Sequence, residues 1–479
     1  MTDRIKNLLN ADFENTQIIS VSYENTGHFD DLTDLPPFYR VIFKTVCGRK
    51  SLIFTEMWLP DNWNGIYIAY GNGGMAGSIN SKSLSHQMRN GYVTAQTDMG
   101  TSQGEAAGID NPDMWKDFGW RATHYMAKIG KEIISTHYGK YPDYSYFDGA
   151  STGGQQAFSS AQRFPNDFDG IISAVPANNR VFLHTYFLWN HNHLRKPSGE
   201  VMFTHEQVSD ITKIATEFFQ NIDDGEKGDN FVSFPYVDKN TVAIFLSFLK
   251  KRKPEFSNEQ IEALRAVYEG PKNPVTNKKI YNGMPIGSEI YGGGITECQN
   301  NRSPHYYPFI WSFGADYNPY DFDFDKDLEK ISDKLSADLN ANSTDLSAFF
   351  ERGGKIISYS GSADPCVPFP DAMKYYERVI DGLGGYGEVS KSFRYFLMPG
   401  KDHGATGLGS NRLWGNEKRE SLTKCIRNWV EHGIAPDYLI AERNINGENI
   451  FSRRLYPYCS EYNPRKPFMD CCDEYYLTK

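Results

Sequence analysis

The chain has 479 residues, 39% of them hydrophobic and 14% aromatic, with 50 Lys and Arg against 60 Asp and Glu for a formal net charge of -10 at pH 7. That length is enough for one large domain with an insertion, or for two domains, and the composition excludes a disordered chain. The acidic balance argues against nucleic acid or an anionic membrane as partner, and no apolar run approaches the roughly 18 residues that cross a bilayer.

Met1 to Leu9 shows no apolar stretch followed by small residues, so no signal peptide is read there. The seven Cys are scattered apart from the adjacent Cys471 and Cys472, a pattern unlike a disulfide framework or a zinc site. Together these features set the expectation of a reducing, cytoplasmic setting. Oligomeric state stays open.

In chain order, residues 38–43 and 52–59 alternate apolar and polar and predict paired antiparallel strands. A turn follows at 60–65. Residues 66–70 form a short apolar strand running into Gly71-Asn72-Gly73-Gly74-Met75-Ala76-Gly77. A glycine-rich loop after a buried strand brings backbone N–H groups close to a ligand. Its spacing fits Gly-x-Gly-x-x-Gly dinucleotide binding poorly, and an oxyanion-hole loop fits better. Residues 91–98 predict a further strand. Residues 119–138 carry helical periodicity, with Tyr125, Ile129, Ile133 and Ile134 on one face and Gly139 as the stop.

Then comes Tyr144-Ser145-Tyr146-Phe147-Asp148-Gly149-Ala150-Ser151-Thr152-Gly153-Gly154-Gln155-Gln156, read as strand, Gly-x-Ser-x-Gly turn and helix. Gly149 and Gly153 leave room for a turn sharp enough to expose the Ser151 hydroxyl at a helix N-terminus, where developing negative charge is favoured. Alone the motif is weak, and its bland reading is a turn that merely starts a helix. Residues 171–176 predict the next strand. The alternation of strand and helix argues for a mostly parallel sheet covered on both faces.

From 178 to 345 the pattern breaks into helical stretches (205–220, 241–252, 258–268) and polar loops without a clear buried strand, which reads as an inserted lid. The remaining domain is 1–177 plus 346–479. Within it, residues 354–361 form a strand ending in Ser362-Ala363-Asp364, 371–380 are helical, and 392–398 form a strand ending in Pro399-Gly400-Lys401-Asp402-His403-Gly404. Residues 419–432 close the pattern as an amphipathic helix.

Ser151, Asp364 and His403 thus follow three predicted strands, in the chain order of an α/β hydrolase. In such a site Ser151 attacks a carbonyl, His403 takes its proton, and Asp364 fixes the imidazole tautomer. The N–H of Thr152, with one from Gly73 or Gly74, would hold the oxyanion. Asp371 and Asp402 are neighbouring alternatives for the acid, and Asp364-Pro365 also reads as an ordinary turn opening.

With these pieces assembled, the chain resembles the tannase/feruloyl esterase family of α/β hydrolases over most of its length. The resemblance rests on Gly71-Asn72-Gly73-Gly74, residues 117–124, the turn at Ser151 with residues 161–170, Arg352 to Ile357, Gly361 to Pro365, and Pro399 to His403. It implies hydrolysis of aromatic carboxylic esters under a large lid, a small-molecule ester substrate, no organic cofactor, and Ser151, Asp364 and His403 as the triad. Rival readings are a peptidase or carboxylesterase of other acyl preference, and an inactive hydrolase fold used for binding.

Two departures stand out. Where the family has a Cys before the serine and another after the histidine, joined as a disulfide, this chain has Ala150 and Gly404. The family's calcium loop corresponds to residues 221–230, where Asn221, Asp224, Glu226 and Asp229 are the candidate ligands and a solvated acidic turn is the alternative. In the lid, Tyr306, Tyr307, Phe309 and Trp311 form the densest aromatic patch. It reads either as the wall of an aromatic acyl pocket or as the lid's own core.

Overall fold

The computed structural model describes residues 3–220, 228–235, 239–300 and 306–460. Nine strands among them form one sheet: β1 (Thr16–Glu24), β2 (Phe38–Thr45), β3 (Ile53–Pro60), β4 (Ile66–Tyr70), β5 (Val93–Thr97), β6 (Tyr144–Ala150), β7 (Gly170–Ala174), β8 (Lys355–Gly361) and β9 (Phe393–Met398). Their spatial order is β1-β2-β3-β5-β4-β6-β7-β8-β9. β1 to β3 pair antiparallel and β3 joins β5 antiparallel, while β5, β4, β6, β7, β8 and β9 are parallel neighbours. β1 is an addition to the sequence reading. Its side chains are half-buried or exposed, so an edge strand leaves little apolar pattern to read.

The strand periodicity of two divides the apolar residues between two cores. Tyr67, Ala69, Phe147, Ile171 and Ile356 point to one face, against Met126, Ile129 and Ile133 of the helix Ala122–Tyr138 and Ala157, Phe158 and Ala161 of the helix Thr152–Arg163. Their neighbours Ile66, Ile68, Tyr146, Ile172 and Ile357 point to the other face, against Cys425, Ile426 and Trp429 of the helix Leu422–His432. A small antiparallel sheet, β10 (Arg412–Trp414), β11 (Leu439–Ile445) and β12 (Glu448–Leu455), covers that second face further, through Leu439, Ala441 and Leu455. Central strands buried on both sides explain the near-continuous apolar runs that marked them in the sequence.

The helix expected over 119–138 is shorter at its start. A π-turn spans Asp117–Arg121, the α-helix runs Ala122–Tyr138, and Gly139 closes it at φ 80°. The wide turn carries the Arg121 Nε to Asp117 ion pair, at 2.5 Å, and presents Gly119 to the helix Lys326–Leu339. There a Cβ on Gly119 would sit 1.9 Å from the Asp338 carbonyl oxygen, so only glycine allows the approach.

Between β7 and β8 the described residues form helices and loops, with no strand of the main sheet. Part of this insertion has its own core, built from Val208, Ile211, Phe219, Phe245, Leu249, Leu264 and Tyr268. The rest shares a core with the first domain. Val181, Phe182, Leu328 and Leu335 pack with Met114, Phe118 and Ala122. The insertion therefore rests on the sheet-bearing domain through a shared apolar cluster, which also reaches the loops at the ends of β4 and β8.

Candidate active site

The loops after β4, β6, β8 and β9 all leave the carboxyl ends of parallel neighbours, the side on which open α/β sheets place their ligands. Ser151 follows β6 at φ 61° and ψ -113°, outside the regions a non-glycine residue ordinarily takes. Three backbone bonds hold it there: its N–H donates to Ala174 O at 2.9 Å, and its carbonyl accepts from Gln155 N and Ala177 N at 3.2 and 3.1 Å. The turn is tight because Gly71, Gly149 and Gly153 lie backbone to backbone. A Cβ on Gly71 would fall 2.5 Å from Gly153 Cα and 2.9 Å from Gly149 Cα.

The loop after β4 is laced to the same helix. Thr152 Oγ1 donates to Gly74 O at 2.6 Å, and Gly153 N donates to Asn72 O at 2.7 Å. Gln156 Oε1 accepts from Asn72 N at 2.8 Å, while Gln156 Nε2 donates to Thr123 Oγ1 at 2.8 Å. Asn72 Nδ2 in turn donates to Thr97 O at 2.8 Å. Among the described residues no acceptor is recorded for the N–H of Thr152, Gly73 or Gly74, the three expected oxyanion donors. Asn72 and Gln156 were not singled out from the sequence. The available signal was the spacing: Thr152 and Gln156 are one turn apart on the face that meets the loop.

After β8, Asp364 is fully buried and both its oxygens are used. Oδ1 accepts the N–H groups of Cys366 and Val367 at 2.8 and 2.9 Å. Oδ2 lies 2.8 Å from Nδ1 of His403, which follows β9 and is partly exposed. Burial by itself lowers the proton affinity of His403, but the charge and hydrogen bond of Asp364 outweigh it and raise the pKa above the ordinary imidazole value. The two neighbouring carboxylates are committed elsewhere. Asp402 Oδ2 accepts from Thr406 Oγ1 at 2.9 Å, and Asp371 Oδ1 accepts from Asn179 Nδ2 at 3.2 Å. Lys401, also missed in the sequence, donates from Nζ to the carbonyls of Asp402 and Gly404 and so braces the His403 loop from both sides.

The aromatic patch divides. Phe309 and Trp311 are fully buried: Phe309 packs on Tyr317 and Phe322, and the Trp311 indole N–H donates to Glu105 O at 2.8 Å. Those two side chains belong to the core rather than to an open wall. Tyr307 is buried against Phe118, and half-buried Tyr306 packs edge-on to His184 and tilted against Phe187.

The calcium expectation is not supported. Asn221, Asp224 and Glu226 lie outside the described residues. Asp229 is buried with its carboxylate taken by Arg453 and by Ser233 Oγ at 2.7 Å, and a guanidinium beside a carboxylate is the wrong neighbour for a cation ligand. Among the described residues no group of three or more His, Cys, Asp or Glu could hold a metal ion, and no helix is long and apolar enough to cross a membrane.

A mostly parallel sheet, a serine in a strained strand-to-helix turn, and an Asp–His pair on two later strand ends define an α/β hydrolase fold. The family model of "Tannase and feruloyl esterase" matches residues 39–475. An uncharacterized esterase of Xanthomonas campestris is 29% identical over 464 residues, covering 87% of this chain and 79% of that protein. Feruloyl esterase C of Talaromyces stipitatus is 26% identical over 468 residues, covering 89% and 84%. The crystal structure of feruloyl esterase B from Aspergillus oryzae superposes with a TM-score of 0.82 at 23% identity, covering 95% of this chain and 96% of that one. The chain belongs to the tannase and feruloyl esterase family and is a carboxylic ester hydrolase. It is a variant without the family's active-site disulfide: Ala150 and Gly404 stand at those positions, and the described cysteines Cys47, Cys298, Cys366, Cys425 and Cys459 form no disulfide among the described residues.

Proposed function

We propose that this esterase cleaves esters of aromatic, phenolic carboxylic acids through an acyl-enzyme on Ser151. The observation that carries the mechanism is the 2.8 Å contact of His403 Nδ1 with the buried Asp364 carboxylate, on strand ends beside the strained Ser151 turn. With Nδ1 committed as a donor, Nε2 is the free base. Nε2 takes the Ser151 proton as Oγ attacks the ester carbonyl. The N–H of Thr152, with that of Gly73 or Gly74, receives the oxyanion at the N-terminus of the helix Thr152–Arg163. Collapse expels the alcohol with the proton from His403, and water then repeats the sequence on the acyl-enzyme. The names of the feruloyl esterase relatives support the aromatic acyl class.

The test is a panel of methyl ferulate, methyl gallate, ethyl acetate and ethyl butyrate, with wild type and Ser151→Ala. Aromatic preference is expected, with loss of turnover and of fluorophosphonate labelling in the variant. Preference for the short aliphatic esters would sink the substrate class, and full activity in Ser151→Ala would sink the mechanism.

We further propose that the loops carrying Ser151 and His403 are held by hydrogen bonds and packing alone, as a reducing compartment would require. The supports are the Thr152–Gly74 and Lys401–Gly404 bonds and the described cysteines, none of which is in a disulfide among the described residues. Excess dithiothreitol is expected to leave kcat/KM and Tm unchanged, and a fall in either overturns the proposal.

A further inference from the structure

Arg180 stands out energetically. It opens the helix Arg180–Leu194 and is only 3% exposed, yet Nε and Nη2 of its guanidinium have no hydrogen-bond partner among the described residues. Buried charges are ordinarily paired, because taking an ion out of water costs more than packing returns. The carbon of the guanidinium lies 5.6 Å from the centroid of the Phe118 ring, which in turn packs on Tyr307 at 5.0 Å and Trp311 at 6.0 Å. The Tyr307 hydroxyl is buried beside it and feels both the charge and the hydrogen-bonding influence of Arg180.

These groups are connected to the site already described through the chain and through a shared apolar cluster. Ala177, three residues before Arg180, donates its N–H to the Ser151 carbonyl. The apolar cluster around Phe118 and Tyr307 includes Met75 and Ala76 of the loop after β4, and Val367, whose N–H holds Asp364. Nε and Nη2 are adjacent donors on one edge of the guanidinium, a fork whose spacing matches the two oxygens of a carboxylate. Two donors without an acceptor among the described residues, three positions along the chain from the residue that bonds the Ser151 carbonyl, fit a partner brought by the substrate.

We propose that Arg180 binds a carboxylate carried by the ester substrate, with the Tyr307 hydroxyl donating to the same group. This rests on the serine esterase reading above. The carboxylate has two sources: a second acid group on the acyl ring, or an acid group on the alcohol.

The experiment uses two matched pairs that differ in that charge. The monomethyl ester of benzene-1,4-dicarboxylic acid against methyl benzoate tests the acyl side. The cinnamoyl ester of glycolic acid against ethyl cinnamate tests the alcohol side. Binding to Ser151→Ala is measured by calorimetry, alone and combined with Arg180→Met or Arg180→Lys, and turnover is followed in the Ser151 forms. In at least one pair the carboxylate member is expected to bind about 10- to 100-fold tighter, a preference abolished by Arg180→Met and reduced by Arg180→Lys. The pair that responds locates the carboxylate. Arg180→Met is also expected to keep or raise Tm, since it removes an unpaired buried charge. Equal affinity within both pairs, or a preference that survives Arg180→Met, overturns the proposal. Wild-type turnover of esters without an Arg180-dependent preference removes this inference alone. Arg180-dependent binding without turnover of any ester removes the esterase reading instead.

Discussion

Asp364→Asn is expected to lower kcat/KM by about 10^4 while leaving the protein folded. The asparagine oxygen can keep the bonds from Cys366 and Val367 N–H that now end on Asp364 Oδ1. Its amide nitrogen, however, would replace Oδ2 at 2.8 Å from His403 Nδ1. Two donors cannot face each other, so Nδ1 must give up its hydrogen and Nε2 must carry it. That tautomer cannot take the Ser151 proton.

The pH profile supplies a second readout. In the proposed mechanism turnover needs neutral imidazole, so activity is expected to fall as pH drops through the pKa of His403 in the folded enzyme. Because Asp364 raises that pKa above the ordinary value, the acid limb of wild-type kcat/KM is expected above the ordinary imidazole range. In Asp364→Asn the carboxylate charge is gone and burial remains, so the residual acid limb moves to lower pH. A variant with wild-type rate, or with an unmoved acid limb, would exclude Asp364 as the partner of the base.

Gly71→Ala is expected to cause the largest loss of stability among single methyl additions to this loop. The added Cβ would meet Gly153 Cα at 2.5 Å and Gly149 Cα at 2.9 Å, with Gln156 Oε1 at 3.3 Å behind them. Main chain gives no rotamer through which to relax, so the loop after β4 must back away from the Ser151 turn. Overpacking of this kind costs on the order of 3 kcal/mol. The retreat also pulls Gly73 and Gly74 away from Ser151, so kcat is expected to fall by about 10^2 to 10^3, the effect of losing an oxyanion donor. Gly73→Ala is the control, since a Cβ there meets nothing within 4 Å and stability should change by less than about 0.5 kcal/mol. Thermal melts of the two variants decide the matter. Equal midpoints would mean that the contact of the three glycines does not set the turn.

The central strands β2 to β9, the mostly parallel sheet and the positions of Ser151, Asp364 and His403 after β6, β8 and β9 were legible in the chain. These rest on local rules. Apolar runs bounded by turn residues make buried strands, and glycines on both sides of a serine make a tight turn whatever lies elsewhere. The strand β1 and the small sheet β10–β12 were not legible, since short or edge strands carry a diluted pattern. The aromatic run at 306–313 was ambiguous for a related reason. A buried phenylalanine and a pocket-lining one look alike in sequence, and only the packing of Phe309 on Tyr317 and Phe322 separates them.

What the tertiary structure alone decided was partnership. Asp364, Asp371 and Asp402 all sit near strand ends in the sequence, and the geometry gives His403 to Asp364 because the other two carboxylates bond Asn179 and Thr406. Asp229, a candidate calcium ligand by its place in an acidic loop, pairs instead with Arg453, 224 residues later in the chain. Arg180 is an unremarkable helix-opening arginine until its buried surroundings show no acceptor for Nε and Nη2 among the described residues. Periodicity and turn chemistry act over a few residues and can be read along the chain. The choice of partner for a charge depends on groups brought together from distant positions, and that information exists only once the chain has folded.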